Sequence, residues 1–288
     1  MGTLVNINGT MFPPEEAVIS VFDRGFLYGD SVYETVRTYQ GRLFLMERHL
    51  ARLGRSAERL WLAVPGGLER VGAEALRTLE AVGNPESCLR IVITRGARPG
   101  LVQLDIESAG ESTLVLIARP FSGYAPEVHR DGVDVALVGV LRTGRQSLDP
   151  KVKSGNYLNN IIALHEARSQ GAFECLMPNR EGDLTEGSTS NVFLVQGGVV
   201  RTPSLESGLL DGITRSFVLE LAKEAGYPVR EERLGSDDLF GADEVFLTSS
   251  LKEVMPVRSL NGEKVGDGRP GPVTLDLLRR YRLNTAKN

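Results

Sequence analysis

A single break organises this sequence. Two strand-like apolar runs, Leu114 to Ala118 and Val133 to Val140, flank Arg119 to Asp131 (RPFSGYAPEVHRD), a stretch with two prolines, a glycine and several polar residues. Proline fixes φ and removes a backbone donor, so no strand continues through such a stretch, and the chain is expected to fold as two parts. The expected domains are a smaller one over 1–118, a linker over 119–124 and a larger one over 125–288. At 288 residues the chain is long enough for two modest cores.

The patterning on each side mixes both periods. Leu4, Val5 and Ile7 alternate with polar residues up to a turn at Asn8-Gly9, and Ala17 to Phe22 is expected to return as the second strand of a hairpin. Val32 to Tyr39 alternates again, with Tyr33, Thr35, Arg37 and Tyr39 on one face. Helices are expected where His49, Leu53, Ala57 and Leu60 recur at helical spacing, and over Leu68 to Val82, ahead of a strand at Leu89 to Thr94. In the second half helices are expected near Tyr157 to Arg168, Ile213 to Ala225 and after Pro272. Strands are expected at Glu174 to Met177, Asn191 to Val195 and Glu244 to Thr248. Strands in runs with helices between them give an α+β class.

Composition removes several functions. Lys plus Arg is 33 against 37 acidic residues, a net charge of −4, with no basic block to track a phosphate backbone, so nucleic acid is not expected as a partner. No apolar run is long enough for a membrane span, and the N-terminus lacks the basic and apolar regions of a signal peptide. Cys88 and Cys175 stand far apart and outside any CxxC pair, which points to a reducing cytoplasm, and the scattered His49, His129 and His165 offer no metal-ligand spacing. With six lysines against 27 arginines, a lysine outside a helix carries information.

Four features can carry chemistry. The helix at Ile213, with Asp211 as its expected cap and Gly226 at its close, begins Gly212-Ile213-Thr214-Arg215; a glycine lets an anion approach the helix amides, although any capped helix near a glycine looks similar. Thr248-Ser249-Ser250, ending a strand, is either a second anion cradle or a plain serine-rich turn. Glu186, in LTEGSTSN, is either a solvated turn residue or a buried partner for a protonated nitrogen. Lys151 and Lys153 point the same way in an extended segment, so parity does not choose between them. Either is a surface lysine or an amine able to form an imine with an aldehyde. An imine-forming lysine, an acid for a ring nitrogen and two anion cradles are what pyridoxal phosphate requires.

At this point the sequence resembles the class IV (fold type IV) pyridoxal-phosphate aminotransferases, which include branched-chain aminotransferases, D-amino-acid aminotransferases and aminodeoxychorismate lyases. The resemblance spans nearly the whole chain through ordered motifs: YGDSVYETVR from Tyr28, HLARL from His49, KSGNYL from Lys153, LTEGSTSNVF from Leu184, GITR from Gly212 and EVFLTSS from Glu244. It implies a small N-terminal α/β domain, a larger C-terminal pseudo-barrel domain, and a homodimer. It also implies that Lys153 holds pyridoxal 5'-phosphate and shuttles the substrate's α-proton, that Glu186 pairs with the pyridine nitrogen, and that Tyr157 bonds the ring's phenolic oxygen. Arg52, Ile213, Thr214, Ser249 and Ser250 are then the phosphate ligands, and Tyr28, Tyr33 and Arg37 line the substrate side.

The implied reaction moves an amino group from an amino acid, favoured as a branched-chain L-amino acid, to a 2-oxo acid such as 2-oxoglutarate. A D-amino-acid aminotransferase, an aminodeoxychorismate lyase and a noncatalytic phosphate-ligand binding module are the alternatives. Cys88-Leu89-Arg90 lacks the aromatic residue of the usual branched-chain segment, and Arg95 and Arg98 are either substrate-carboxylate clamps or loop charges.

Overall fold

The computed structural model describes residues 2–98, 104–108 and 110–286. The chain divides into two compact units, Met1–Ser122 with Val152–Asn156, and Gly123–Lys151 with Tyr157–Asn288. The expected linear division has no place for the short segment Val152–Asn156, which leaves the second unit's sequence and packs with the first.

In the first unit the strands are β1 (Leu4–Ile7), β2 (Thr10–Phe12), β3 (Ser31–Tyr39), β4 (Arg42–Leu43), β5 (Ser87–Thr94) and β6 (Thr113–Pro120), and the helices are α1 (Arg24–Tyr28), α2 (Met46–Arg59) and α3 (Gly67–Val82). The strands form one sheet in the order β2-β1-β6-β5-β3-β4. Register explains its two faces. Val32 and Val36 of β3, Ile91 and Ile93 of β5, and Leu114 and Leu116 of β6 pack with Leu53 and Ala57 of α2 and Val71 and Ala75 of α3 into one buried core. The alternate residues lie on the other face, where Thr35 pairs with Arg90, Arg37 with Cys88, and Cys88 with Arg119.

The first hairpin differs from expectation. Its return strand is Thr10–Phe12, directly after the Asn8-Gly9 turn, and Ala17 to Phe22 is not a strand. Pro13 and Pro14 stop it, because neither offers an N–H to a ladder.

In the second unit the strands are β7 (Val133–Leu137), β8 (Glu174–Pro178), β9 (Leu184–Glu186), β10 (Asn191–Gln196), β11 (Val199–Pro203), β12 (Val229–Glu232), β13 (Glu244–Ser249), β14 (Glu253–Leu260) and β15 (Glu263–Lys264). The helices are α4 (Pro126–Asp131), α5 (Leu158–Ser169), α6 (Ile213–Glu224), α7 (Ser236–Phe240) and α8 (Pro272–Thr285). The path β10-β13-β14-β7-β8-β9 closes on itself, since β9 also pairs β10, giving the six-stranded barrel that the pseudo-barrel expectation describes. Val135, Leu176, Leu184, Val192, Leu247, Met255 and Val257 belong to its core. The strand expected over Val133 to Val140 stops at Leu137.

Candidate active site

In the first unit the site is built on β3, α2 and the returning segment. Tyr33 N–H donates to the Lys153 carbonyl at 2.9 Å and Gly155 N–H to the Ser31 carbonyl at 2.9 Å, so the segment lies along β3 through a single antiparallel bridge between Val32 and Ser154. A side chain at Gly155 would collide with Ser31 Oγ, which explains why KSG continues with glycine. The Lys153 amide donates to Ser56 Oγ of α2 at 3.2 Å. With its backbone pinned on two sides, Lys153 brings Nζ to 3.3 Å from Tyr33 Oη and 4.4 Å from the ring centroid. Within this unit Lys153 faces Tyr33, while Lys151 belongs to the second unit and donates its amide to Asp149 Oδ1 at 3.0 Å.

Behind β3, helical spacing places His49, Arg52 and Ser56 on the buried face of α2. Arg52 meets Glu34 of β3, with Nε to Oε1 and Nη2 to Oε2 both at 2.7 Å, and His49 Nδ1 stands 2.7 Å from Oε2. Burial pushes the Glu34 carboxyl up, but Arg52 and then His49 more than reverse this and hold it well below the usual carboxylate range. Burial likewise pushes His49 below the ordinary imidazole value, with Glu34 opposing. Facing a carboxylate, the ring carries a proton on Nδ1.

On the sheet face away from the helices the Arg37 guanidinium stacks over Tyr39 at 4.4 Å, and that of Arg90 over Tyr33 at 4.0 Å. Tyr28, at the end of α1, lies 5.9 Å from the Arg24 guanidinium. Arg95 is a structural strut: it is buried, donates to both Asp30 oxygens at 2.7 and 2.9 Å, and holds the Leu60 and Trp61 carbonyls. Arg98 reaches the Ser108 carbonyl at 3.4 Å.

In the second unit the site gathers around Asn191, the first residue of β10. Its Nδ2 donates to the Leu210 carbonyl at 2.9 Å and lies 3.5 Å from Glu186 Oε2. Glu186 ends β9, buried; it also accepts from Arg142 Nε at 2.9 Å and the Leu210 N–H at 3.1 Å. Glu186 is thus buried and not solvated, and three donors fix its carboxylate.

Asn191 also fixes the helix start. A Cβ on Gly212 would collide with Asn191 Oδ1, so any larger residue here would have to displace the Asn191 side chain. Gly212 is the N-cap of α6 and no side chain caps it; the expected Asp211 cap is not made, because Asp211 turns its carboxylate to the Ser216 hydroxyl at 3.2 Å. The amides of the first turn, at Ile213 and Thr214, thus begin a helix without a side-chain cap. Across the sheet Asn191 pairs with Thr248 of β13, whose buried hydroxyl has no partner among the described residues, and Ser249 and Ser250 follow, half-buried. Tyr157 stands at the N-cap of α5.

Taken unit by unit, the first holds an oriented amine, which suits an aldehyde, and the second holds a fixed acid, a helix start without a side-chain cap and a buried hydroxyl beside a serine turn, which suit a phosphorylated pyridine. Arg142, Asn191, Glu34 and Glu174 escaped the sequence reading. Asn191 lay inside a quoted motif, but Arg142 sits in a loop 44 residues before its acid and no periodicity marks it. Among the described residues no cluster of His, Cys, Asp and Glu could hold a metal ion.

Known proteins share this organisation. The family model for amino-transferase class IV matches residues 31–260. A putative branched-chain-amino-acid aminotransferase of Methanocaldococcus jannaschii is 36% identical over 278 residues, covering 96% of this chain and 95% of the relative. A D-alanine aminotransferase of Bacillus licheniformis is 34% identical over 271 residues, covering 94% and 93%. Among solved structures, a T.th. branched-chain amino acid aminotransferase with pyridoxamine 5'-phosphate superposes with a TM-score of 0.94 at 31% identity, covering all of this chain and 95% of that one. The Escherichia coli branched-chain amino acid aminotransferase gives 0.93 at 30% identity, covering 98% and 94%.

Proposed function

This chain belongs to the class IV aminotransferases, and from that membership we propose that it is a pyridoxal 5'-phosphate enzyme moving the amino group of a branched-chain L-amino acid to a 2-oxo acid such as 2-oxoglutarate. Relatives and solved structures named for branched-chain substrates support the substrate class. The observation that carries the chemistry is Lys153, its backbone held by Ser56 and β3 and its amine by Tyr33.

When bound, the cofactor supplies the electron sink for charge developing at the substrate's α-carbon. Lys153 Nζ is the group that holds the cofactor's aldehyde carbon and carries the α-proton, and Tyr33 Oη orients it. Glu186, fixed by Arg142, Asn191 and the Leu210 amide, keeps a proton on the pyridine nitrogen. Tyr157 bonds the ring oxygen, and Arg52, Ile213, Thr214, Ser249 and Ser250 bind the phosphate. Tyr28, Tyr33 and Arg37 orient the substrate. The protein works as a cytoplasmic homodimer: α5 presents Leu158, Ile161 and Ile162 at 68%, 60% and 49% exposure, a face suited to self-association, and both cysteines are buried and free. Among the described residues no helix is long and apolar enough to cross a membrane.

The test is a visible spectrum before and after borohydride, peptide mapping of the reduced protein, and half-reactions with L-leucine, D-alanine and aminodeoxychorismate. Conversion by L-leucine with the label on Lys153 supports the reading. A second reading, a D-alanine aminotransferase, is favoured by the Bacillus licheniformis relative and requires D-alanine to convert the cofactor faster than L-leucine. Sedimentation velocity reads the dimer.

A further inference from the structure

The second unit contains a buried ion pair that the reaction does not use directly. Glu174 of β8 is 1% exposed and Lys252, in the turn between β13 and β14, is 5% exposed. Lys252 Nζ lies 2.7 Å from Glu174 Oε2 and 2.5 Å from Thr189 Oγ1. The other carboxylate oxygen, Oε1, accepts from the Cys175 amide at 3.0 Å, the Ser188 amide at 3.1 Å and the Ser188 hydroxyl at 2.5 Å, while the Ser190 hydroxyl reaches Oε2 at 3.2 Å. The Thr189 hydroxyl also reaches Oε2 at 3.3 Å, and among the described residues every donor on this carboxylate apart from Cys175 and Lys252 belongs to the turn leading from Glu186 to Asn191.

Lys252 also acts through its backbone. Its amide donates to Ser249 Oγ at 3.2 Å. A hydroxyl oxygen that accepts from an amide on one side must turn its own proton elsewhere. Ser249 is thus set as a donor, the role an anion at this turn requires. The lysine charge itself is spent on Glu174, so it holds the turn in place instead of meeting an anion.

We propose that Lys252 and Glu174 are positioning residues for the cofactor phosphate: their ion pair fixes the Ser249–Ser250 turn, through the Lys252 amide, to the turn that follows Glu186. The inference rests on the reading of Ser249 and Ser250 as phosphate ligands. It concerns how these groups are aimed, which neither the motifs nor the family membership assigns to Lys252.

The experiment compares the affinity of the apoprotein for pyridoxal 5'-phosphate with its affinity for pyridoxal, which lacks the phosphate, in the wild type and in Lys252→Met, Lys252→Arg, Glu174→Gln and Ser249→Ala, with circular dichroism as the check on folding. Lys252→Met and Glu174→Gln are expected to weaken the phosphorylated ligand about tenfold, equivalent to about 1.4 kcal/mol, and to leave pyridoxal binding unchanged. Lys252→Arg, which keeps the charge and the pair, is expected to retain most of the preference. Should a single variant fail to fold, the double variant Lys252→Met/Glu174→Gln removes both charges together and is read in the same way. Equal weakening of both ligands, or of neither, overturns the proposal. If Ser249→Ala loses the phosphate preference but Lys252→Met keeps it, the positioning role fails alone. If Ser249→Ala keeps it, the phosphate reading of the turn fails and the proposal falls with it.

Discussion

Arg52 and Glu34 form a two-point pair, guanidinium Nε and Nη2 against the two carboxylate oxygens, each at 2.7 Å, with both side chains buried. Such a pair fixes an arginine's plane as well as its position. The proposed phosphate ligand is therefore aimed by an acid 18 positions earlier in the chain. Glu34→Gln is expected to cost about 3–5 kcal/mol of stability, because a buried guanidinium loses its counter-charge. Urea unfolding measures it; a loss below about 1 kcal/mol, typical of an exposed pair, would contradict it.

Lys153→Ala is expected to abolish the borohydride-reducible absorbance and to lower turnover by at least roughly 10²–10⁴-fold, the usual contribution of a general acid–base group. Lys151→Ala, whose side chain has no part in the proposed chemistry, is expected to keep both. Stopped-flow half-reactions and peptide mapping separate the two lysines, and a reducible bond surviving in Lys153→Ala would refute the assignment.

Gly212→Ala places a methyl against Asn191 Oδ1. Forcing an extra carbon into a packed site costs about 1–3 kcal/mol. Because Asn191 touches both the helix start and Glu186, the variant is expected to lose cofactor affinity as well as stability. Thermal unfolding with and without cofactor measures both, and an unchanged affinity would show that the helix start is remote from the cofactor.

Thr248→Val separates folding from binding. The Thr248 hydroxyl is buried and has no partner among the described residues, a state that costs about 1–3 kcal/mol, so its removal is expected to leave the apoprotein as stable or more so. If the hydroxyl serves a bound anion, cofactor affinity falls in the same variant. Opposite signs support a ligand-directed hydroxyl, and unchanged binding argues against one.

Glu174 predicts an acid transition. Burial pushes its carboxyl up, but Lys252 and the Ser188 hydroxyl outweigh this and bring it to about 2, against an ordinary value of 4.5. A carboxyl with a depressed folded value stabilises the protein fully above the ordinary value and loses that contribution as pH falls through the folded one. The gap in melting temperature between wild type and Glu174→Gln is thus expected to shrink from about pH 4.5 to about pH 2. A gap constant across that window would show that Glu174 is not the titrating group.

The sequence alone marked several of the longer helices and strands, because alternation and helical spacing are local and each stretch carries its own period; α1, α4, α7, β9, β11, β12, β14 and β15 lie outside its expectations. β3, β5, α3, α6 and α8 begin or end within a few residues of expectation. Local information also marked Glu186, Gly212 and the serine turn, whose residue types announce their chemistry. It erred where a neighbour overruled the pattern: prolines at 13 and 14 cut the hairpin strand short, and Asp211 turned to Ser216 instead of the helix start.

The tertiary structure decided which partner each charge meets. Lys151 and Lys153 share parity, and only the lie of Val152–Asn156 along β3 gives Lys153 its tyrosine, 120 positions away. Arg142 finds Glu186, and Lys252 finds Glu174, because closing the barrel brings loops and strands distant in sequence onto common neighbours. Sheet register sets these pairings, and register is a property of whole strands packing against a core, so no single stretch of sequence encodes it.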